Sequence, residues 1–183
     1  SPNGFTLSEA SGTVGSAPGV ISTAAAFVNG SGNYLQNIHP FFPVASPLSI
    51  AFWFNGLASS GGGTIYSQND GVTDYQILAI GGGEIVWNGH ITSLGLLDNV
   101  WYHIAITNDG GLSRVYLNSV FSDINANTPL FGGDRVFIGS DATFSMTVPQ
   151  GLIDMAGFWT KVLTADEIAI LYNSGLGKEF PFA

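Results

Sequence analysis

The chain has 183 residues, of which 45% are hydrophobic and 13% aromatic, and this length suits one domain with a sizeable core. Four Lys and Arg residues against thirteen Asp and Glu residues give a formal net charge of -9, which disfavours nucleic acid and anionic membranes as partners. The absence of cysteine excludes disulfides and thiolate catalysis, and no stretch approaches the ~18 consecutive apolar residues of a membrane-spanning helix.

The first part of the chain reads as short strands joined by turn-forming residues, and its 25 glycines and 8 prolines favour an all-β fold. Residues 1–24 carry little charge and are rich in Ser, Gly and Ala, so they form either a linker or an edge strand. Residues 25–36 place two apolar runs around an Asn-Gly-Ser-Gly segment, which predicts a hairpin. Pro40, Pro43 and Pro47 then mark a connection, because proline cannot donate to a β-ladder.

The middle of the chain continues with apolar segments that alternate in the manner of strands. Four strands are predicted, at residues 48–54, 64–66, 75–80 and 84–87. Three consecutive glycines turn the chain between the last two of these, which predicts a second hairpin. His90 follows an Asn-Gly pair and is assigned to a loop.

Residues 99–118 form the segment around which the predicted fold is organised. Two alternating runs flank Asn108, Asp109 and a pair of glycines, which is typical of a β-hairpin. The first run is apolar on both faces, so we expect a central strand that is covered on both sides. Later strands are predicted at residues 120–124, 135–138 and 151–159.

One helix is predicted, over residues 164–174. Thr164 followed three residues later by Glu167 forms a capping box, in which each side chain accepts the other residue's backbone N–H. Gly175 fits the helix end. Three apolar residues share one face of this helix, which should therefore pack on the sheets: Ile168, Leu171 and Tyr172.

Four segments resemble laminin-G-like domains of the concanavalin A-like lectin/glucanase superfamily. The hairpin sequence WYHIAITNDGGLSRVYLNS is similar to that family's W-x-H and Y-x-N hairpin, and Phe27, Gly30 and Tyr34 match an earlier segment. The strand LSIAFWF and the ending GLIDMAGFWTKVLTADEIAILYNSG resemble a strand and the C-terminal segment of the same domains. The similarity extends over residues 25–175.

The resemblance implies an antiparallel two-sheet jelly-roll sandwich, all-β apart from one short C-terminal helix, with residues 1–183 as a single domain. One position departs from the family pattern, because Ser119 stands where those domains often have glycine. We therefore expect the turn after the central hairpin to be less tight than in the family.

Several members of the superfamily are glycosidases, which need two carboxylates at the scissile bond, ~5–5.5 Å apart in retaining enzymes. None of Glu9, Glu84, Glu167 and Glu179 has an acidic residue two positions away, the spacing that would place a pair on one strand face. The sequence shows no recognisable nucleophile for a serine triad. His103 is interpreted as a packed, hydrogen-bonded ring. The sequence therefore predicts a domain that is not an enzyme.

A sugar-binding surface combines an aromatic ring with planar polar groups. The hairpin ends between residues 66 and 90 offer such a set, which could converge at one rim: Tyr66, Asp70, Asp74, Tyr75, Trp87, Asn88 and His90. The alternative is that Tyr75 and Trp87 belong to the core and that the carboxylates are solvated.

Two functions stay open on the sequence. The first is adhesion, in which an extracellular or virion-surface module binds a glycan or glycoconjugate, as the resemblance implies for many family members. The second is architectural, in which the module joins a larger assembly such as a capsid, tail, fibre or cell-surface protein, or forms a homo-oligomer. A charged fraction of only 9% fits the second, because an isolated soluble domain usually carries more charge.

Asp154 lies in the apolar strand GLIDMAGFW, where an unpaired buried carboxylate would be costly. The resemblance implies that the matching aspartate often holds a structural calcium ion together with backbone carbonyls. We therefore expect Asp154 to help bind one calcium ion, with Asp109 of the hairpin turn as a further contributor. The alternative is that Asp154 accepts backbone N–H bonds or pairs with one cation.

Overall fold

The structure, a computed structural model, describes residues 8–11, 13–28, 32–37, 47–70, 72–126, 135–140 and 150–178. The described residues form fourteen strands and one α-helix. The strands are β1 (Ser8–Ser11), β2 (Gly15–Pro18), β3 (Thr23–Phe27), β4 (Tyr34–Asn37), β5 (Leu48–Gly56), β6 (Gly62–Asn69), β7 (Asp74–Gly81), β8 (Glu84–Trp87), β9 (His90–Ser93), β10 (Tyr102–Asn108), β11 (Ser113–Leu117), β12 (Val120–Asn125), β13 (Arg135–Ile138) and β14 (Gly151–Trp159). The helix α1 spans Ala165–Tyr172 and continues into a 3₁₀ turn at Asn173–Gly175.

The strands form two seven-stranded sheets. Sheet A has the order β1-β4-β13-β6-β7-β8-β9, and sheet B has the order β12-β11-β10-β5-β14-β3-β2. The pairings along both sheets are antiparallel. Many neighbours in a sheet are distant in the sequence, because the chain crosses repeatedly from one sheet to the other. This is the jelly-roll sandwich that the sequence predicts.

The interior between the sheets is mainly apolar because alternate side chains of each strand point inward. On β5 the inward residues are Leu48, Ile50, Phe52 and Phe54, each at most 2% exposed. Side chains of sheet A meet them from the other side, among them Ile65, Tyr66, Leu78, Ile85 and Trp87. Burying a side chain of this size contributes about 1.5–3 kcal/mol, so this layer dominates the stability of the fold.

The outer face of sheet B is covered by α1. The helix begins as predicted, since Thr164 Oγ1 accepts the Glu167 N–H (3.2 Å) and the Glu167 carboxylate accepts the Thr164 N–H (2.9 Å). Ile168 and Leu171 are buried on the side of the helix that faces the sheet. They form a second apolar cluster with Ala51, Ala105, Tyr116 and Leu163.

The helix ends two residues earlier than predicted. Asn173 is the C-cap, with a left-handed φ of 47°, and its backbone N–H donates to the carbonyl of Ala169. Asparagine tolerates this conformation better than most residues do, because its short side chain bonds locally. Gly175 also has a positive φ of 93° and lies within the 3₁₀ turn that follows.

The hairpin predicted at residues 99–118 is confirmed as β10 and β11, and β10 lies between β11 and β5 in the interior of sheet B. Ile104 and Ile106 point into the sandwich, whereas Ala105 contacts the helix layer. Both faces of β10 are covered, which explains why the strand is apolar on both sides.

The turn between β11 and β12 is tighter than expected. It consists of Asn118 and Ser119 alone, so that Leu117 pairs directly with Val120. Both turn residues are left-handed, with φ values of 50° and 66°. Ser119 adopts the conformation for which glycine is favoured, at a cost of roughly 1–2 kcal/mol. The expectation of a looser turn is therefore wrong.

The hairpin predicted at residues 25–36 does not form. Its two strands lie in different sheets, since β3 pairs with β2 and β14 in sheet B whereas β4 pairs with β1 and β13 in sheet A. Turn-forming residues allow a reversal of the chain, but they do not decide which strand becomes the partner.

The first described strands of the chain lie at the edges of the two sheets. Residues 1–24 contribute β1 and β2, which are edge strands, so the edge-strand alternative is confirmed for the described part of that segment. The predicted connection at Pro40 and Pro43 lies outside the described residues. Within the described ranges, no helix is long and apolar enough to cross a membrane.

Candidate functional site

Three turns lie toward one end of the sandwich, which we call the rim. They are the turn between β6 and β7, of which residues 70, 72 and 73 are described, residues 88–89 between β8 and β9, and residues 109–112 between β10 and β11. Antiparallel pairing of β6, β7 and β8 places the first two turns at the same end of sheet A. The Trp87 indole N–H donates to Ser113 Oγ across the sandwich (2.9 Å), which places the third turn beside them.

His90 is positioned by the tight turn that precedes it, where Asn88 and Gly89 have φ values of 48° and 82°. Such angles suit a two-residue hairpin turn and are readily adopted by an Asn-Gly pair. His90 therefore begins a strand, β9, and the prediction of a loop at this position is wrong. Trp87 is its direct strand partner. Since paired residues share a face, the His90 side chain points toward the space between the sheets.

His90 meets Asp123 where β9 and β12, the edge strands of the two sheets, face each other. His90 Nε2 lies 2.8 Å from Asp123 Oδ2, and Thr92 Oγ1 donates to the same oxygen at 2.9 Å. The side chains of His90 and Asp123 are 33% and 31% exposed. We call His90, Thr92 and Asp123 the edge site.

The carboxylate of Asp123 is held in one orientation. Its second oxygen, Oδ1, accepts the backbone N–H of Ile124 at 2.8 Å. The hydrogen bond with His90 is the main cause that lowers the pKa of Asp123, and the bonds from Thr92 and Ile124 lower this pKa further. Asp123 is therefore an ionised, oriented acceptor at the open edge of the sandwich.

Behind the edge site the interior is polar. Ser113 Oγ accepts both the Trp87 indole N–H and the Asn108 amide N–H, each at 2.9 Å. Asn125 is 8% exposed and pairs with Ser113 in the β-ladder. Gln68 of β6 is fully buried, and neither amide atom of its side chain has a hydrogen-bond partner in the described structure. The bond from Trp87 to Ser113 joins the two sheets behind the edge site.

Two of the rings predicted to contact a ligand are core residues. Tyr66 is 0% exposed and Trp87 is 1% exposed. Their ring centroids lie 6.5 Å apart in a stacked arrangement, and burial raises the pKa of the Tyr66 hydroxyl. Neither ring presents a face to solvent, so neither can act as a platform for a sugar. For Trp87, the alternative prediction of a core residue is therefore confirmed.

Of the other residues predicted to bind a ligand, only some lie together at the rim. Asp70 is exposed at the first turn, where its Oδ1 accepts the backbone N–H groups of Val72 (2.9 Å) and Thr73 (2.7 Å). Asp74 opens β7 opposite Asn69, but the side chains of Asp74 and Tyr75 lie outside the described part of the structure. Asp70 thus stabilises its own turn. Of the predicted set, Asn88 and His90 reach the edge where the sheets meet.

Asp154 is 7% exposed on the outer face of sheet B, beside Trp53 of β5. Its Oδ2 accepts the backbone N–H of Ile21 at 3.0 Å. Gly19 permits this approach, because a Cβ at that position would lie 2.4 Å from the same oxygen. The described residues contain no group of three His, Cys, Asp or Glu side chains that could hold a metal ion. A calcium ion at Asp154 would therefore need backbone carbonyls as its other ligands, and it stays a prediction.

Asp109 belongs to a different part of the molecule. The residue before it, Asn108, pairs with Leu48, whereas Asp154 pairs with Trp53, five residues further along β5. A strand rises about 3.3 Å per residue, so the two carboxylates are separated by roughly 15 Å or more. They cannot share one ion, and the expected contribution of Asp109 to the Asp154 site is wrong.

The local bonds of Asp109 explain its position in the turn. Its Oδ1 accepts the N–H groups of Gly111 (3.0 Å) and Leu112 (2.8 Å), and its Oδ2 accepts a hydrogen bond from Arg114 Nη1 (2.9 Å). The bond with Arg114 is the main cause that lowers the pKa of Asp109 to about 2. Asp109 thus organises the hairpin turn and neutralises Arg114.

His103 lies on the outer face of sheet B and is 2% exposed. Burial lowers its pKa to about 4, so the ring is neutral near pH 7. The prediction of a packed ring is confirmed. The Nδ1 atom, however, has no hydrogen-bond partner in the part of the chain that the structure describes.

Sequence reasoning misses Asp123 and Thr92. The Asn-Gly pair before His90 is the signal that could have predicted β9, and alternation along that strand then places Thr92 on the face of His90. Asp123 comes 33 residues after His90, and no local pattern pairs the two. Their contact depends on how the two sheets stack.

Comparison with solved structures shows the same fold at low sequence identity. The botulinum neurotoxin serotype G binding domain superposes with a TM-score of 0.70 and 17% identity, covering 94% of this chain and 47% of that one. The binding domain of botulinum neurotoxin DC in complex with SialylT gives 0.66 and 16%, covering 93% and 47%. This chain thus spans about half the length of those binding domains.

A third solved structure matches over nearly its whole length. Domain 4 of AbnA, a GH43 extracellular arabinanase from Geobacillus stearothermophilus, in complex with arabinotriose, superposes with a TM-score of 0.69 and 19% identity. The match covers 94% of this chain and 87% of that domain. No protein of curated function has a significantly matching sequence.

The sequence itself matches a family model over residues 29–169, and that model is described as the concanavalin A-like lectin/glucanases superfamily. The match covers more than half of the chain and agrees with the two antiparallel sheets described above. It also includes the hairpin and most of the C-terminal segment on which the resemblance rests. The chain belongs to the laminin-G-like family of the concanavalin A-like lectin/glucanase superfamily.

Proposed function

We propose that this chain is a non-catalytic glycan-binding module of an extracellular or surface-exposed protein. The observation that carries the proposal is the match in fold and length to the arabinanase domain whose structure contains arabinotriose. The edge site adds support from this chain's own residues. It presents a half-exposed carboxylate and imidazole at the edge of the sandwich, which are groups that hydrogen-bond sugar hydroxyls, and the buried Thr92 hydroxyl orients the carboxylate.

The positions of the glutamates support a role without catalysis. Glu9 accepts the backbone N–H of Val14 (3.1 Å), and Glu84 accepts the hydroxyl of Ser93 (2.7 Å). Glu167 caps α1. Each of these carboxylates serves local structure, whereas a glycosidase needs two carboxylates that face one bond.

A glycan array with the purified chain tests the proposal. We expect selective binding to a small set of glycans, and no release of reducing ends from β-glucans, agar, carrageenan or alginate. Hydrolysis that Glu84→Gln abolishes would show that the chain is an enzyme. An array without hits would contradict glycan binding.

An architectural role is the second candidate, and it is favoured by one edge of sheet B. The strand β12 carries exposed apolar side chains at Val120 (66%), Phe121 (52%) and Ile124 (44%), and β12 is the last strand of its sheet among the described residues. Exposed apolar edge strands promote association between chains. Light scattering distinguishes this role, because it predicts oligomers that Phe121→Lys dissociates.

A further inference from the structure

The hydrogen-bonding groups of the edge site are unequally used. The hydroxyl hydrogen of Thr92 is donated to Asp123, and in the neutral ring the N–H of His90 Nε2 points to the same carboxylate oxygen. The donors are therefore consumed within the site. Acceptors remain on the two half-buried side chains: Nδ1 of His90 in the neutral ring, and a lone pair of Asp123 Oδ1 besides the one that Ile124 uses. The hydroxyl of Thr92 is buried and orients Asp123. A ligand that fits these acceptors must offer hydroxyl donors.

The charge around the edge site also favours an uncharged ligand. The four Lys and Arg residues face thirteen acidic ones in the chain, which gives a net charge of -9. At the rim, Asp70 adds a further exposed carboxylate, and Arg114 is paired with Asp109 at 2.9 Å. An anionic ligand would meet an ionised carboxylate and a negative surface, and like charges repel.

The edge site is also held rigid, which favours binding because little ordering is needed. The bond from Trp87 to Ser113 fastens sheet A to sheet B behind it, and the bond from Asn108 holds Ser113 in place within sheet B. The tight Asn88-Gly89 turn fixes the start of β9 in front of it.

We propose that the edge site formed by His90, Thr92 and Asp123 binds neutral glycans through hydroxyl groups of the ligand and rejects acidic glycans. The inference rests on the proposed glycan-binding function and specifies both the site and the class of ligand. The inference distinguishes between the sugars in two of the similar solved structures. Arabinotriose carries hydroxyl groups and no charge, whereas a sialylated glycan carries a carboxylate. The acceptor-only chemistry of the edge site selects the first class.

Three soluble sugars test the inference: arabinotriose, lactose and sialyllactose, which is lactose with one added acidic residue. Binding is measured by NMR titration and calorimetry at pH 8. We expect at least one neutral sugar to bind and sialyllactose to bind about tenfold more weakly than lactose or not at all. Asp123→Asn should weaken binding of the neutral sugar at least fivefold and reduce the discrimination against sialyllactose.

Two controls keep the result interpretable. Glu84→Gln removes a carboxylate that bonds Ser93, at the end of β8 opposite to the partner of His90, and should leave binding unchanged. If Asp123→Asn fails to fold, the wild-type imidazole resonances replace it. Those of His90 should shift on titration with the neutral sugar, while those of buried His103 should not.

The outcomes separate the two proposals. If arabinotriose, lactose, sialyllactose and the wider glycan array all fail to bind wild type, the glycan-binding function is wrong and the inference falls with it. If sugars bind but the His90 resonances do not move, or Asp123→Asn binds as wild type does, only the assignment of the edge site is overturned. Equal binding of lactose and sialyllactose would overturn the selection of neutral glycans.

Discussion

The imidazole of His103 lies against the indole of Trp53, with ring centroids 5.2 Å apart and planes inclined at 56°. Tyr172 completes the group, since its ring centroid is 5.6 Å from that of Trp53 and 6.1 Å from that of His103. The three rings come from β10, β5 and α1. They fasten the helix to sheet B, and a charge among them would be poorly solvated.

Protonation of His103 should therefore destabilise the fold at acid pH. Burial lowers the pKa of this histidine to about 4 in the folded protein, whereas an unfolded chain titrates near 6.5. The folded state binds fewer protons, so its stability is complete above about pH 6.5 and decreases as the pH falls toward about 4. We expect a loss of about 2–4 kcal/mol from this residue, measured by urea unfolding between pH 7 and pH 4.5.

His103→Phe provides the control for that measurement, because phenylalanine keeps an aromatic ring in the group and cannot be protonated. Its free energy of unfolding should change much less over the same pH interval than that of wild type. An identical pH profile for the two proteins would show that other groups cause the acid sensitivity.

Ser119→Gly should stabilise the protein by about 0.5–1 kcal/mol, which is less than the strain itself because glycine also has more freedom in the unfolded chain. The reason is the left-handed φ of 66° at Ser119 in the two-residue turn before β12. Thermal unfolding measures the effect. Ser122→Gly, inside β12, is the matched variant and should lower the melting temperature. Destabilisation by Ser119→Gly would mean that the serine side chain contributes to the turn.

Gln68→Met should stabilise the protein by about 1–2 kcal/mol, since it replaces a fully buried amide that has no hydrogen-bond partner among the described residues by an apolar side chain of similar length. Chemical denaturation tests this expectation. Ser113→Ala is the opposite case, because it removes the acceptor of both Trp87 and Asn108, and it should destabilise by about 1–3 kcal/mol. A loss of stability in Gln68→Met would show that the amide is satisfied in solution.

Calcium should raise the melting temperature of the wild type if Asp154 binds the ion together with backbone carbonyls. The comparison is between metal-stripped protein with added calcium and the same protein with a chelator. Asp154→Asn should lose the difference, whereas Asp109→Asn should keep it because Asp109 lies in a distant turn. Equal melting of the wild type in both solutions would leave Asp154 as an acceptor for the Ile21 N–H alone.

The elements that follow from local chemistry were predictable from the sequence. The alternation in residues 48–54 and 101–107 predicts β5 and β10, because side-chain direction in a strand depends only on position along it. Thr164 and Glu167 predict the start of α1, since a capping box involves residues three apart. The resemblance to the family adds the sandwich topology, which no single segment specifies.

The tertiary structure alone decided which side chains are buried and which distant residues meet. Tyr66 and Trp87 are aromatic residues of the kind that stack on sugars. The register of β6, β7 and β8 nevertheless directs both rings into the core. The partner of β3 is likewise set by long-range pairing and not by the turn that follows it. Asp123 reaches His90 only because the two sheets stack with β9 and β12 along the same edge. Sheet stacking depends on the summed burial of both inner faces, so it is a property of the whole chain and not of any segment.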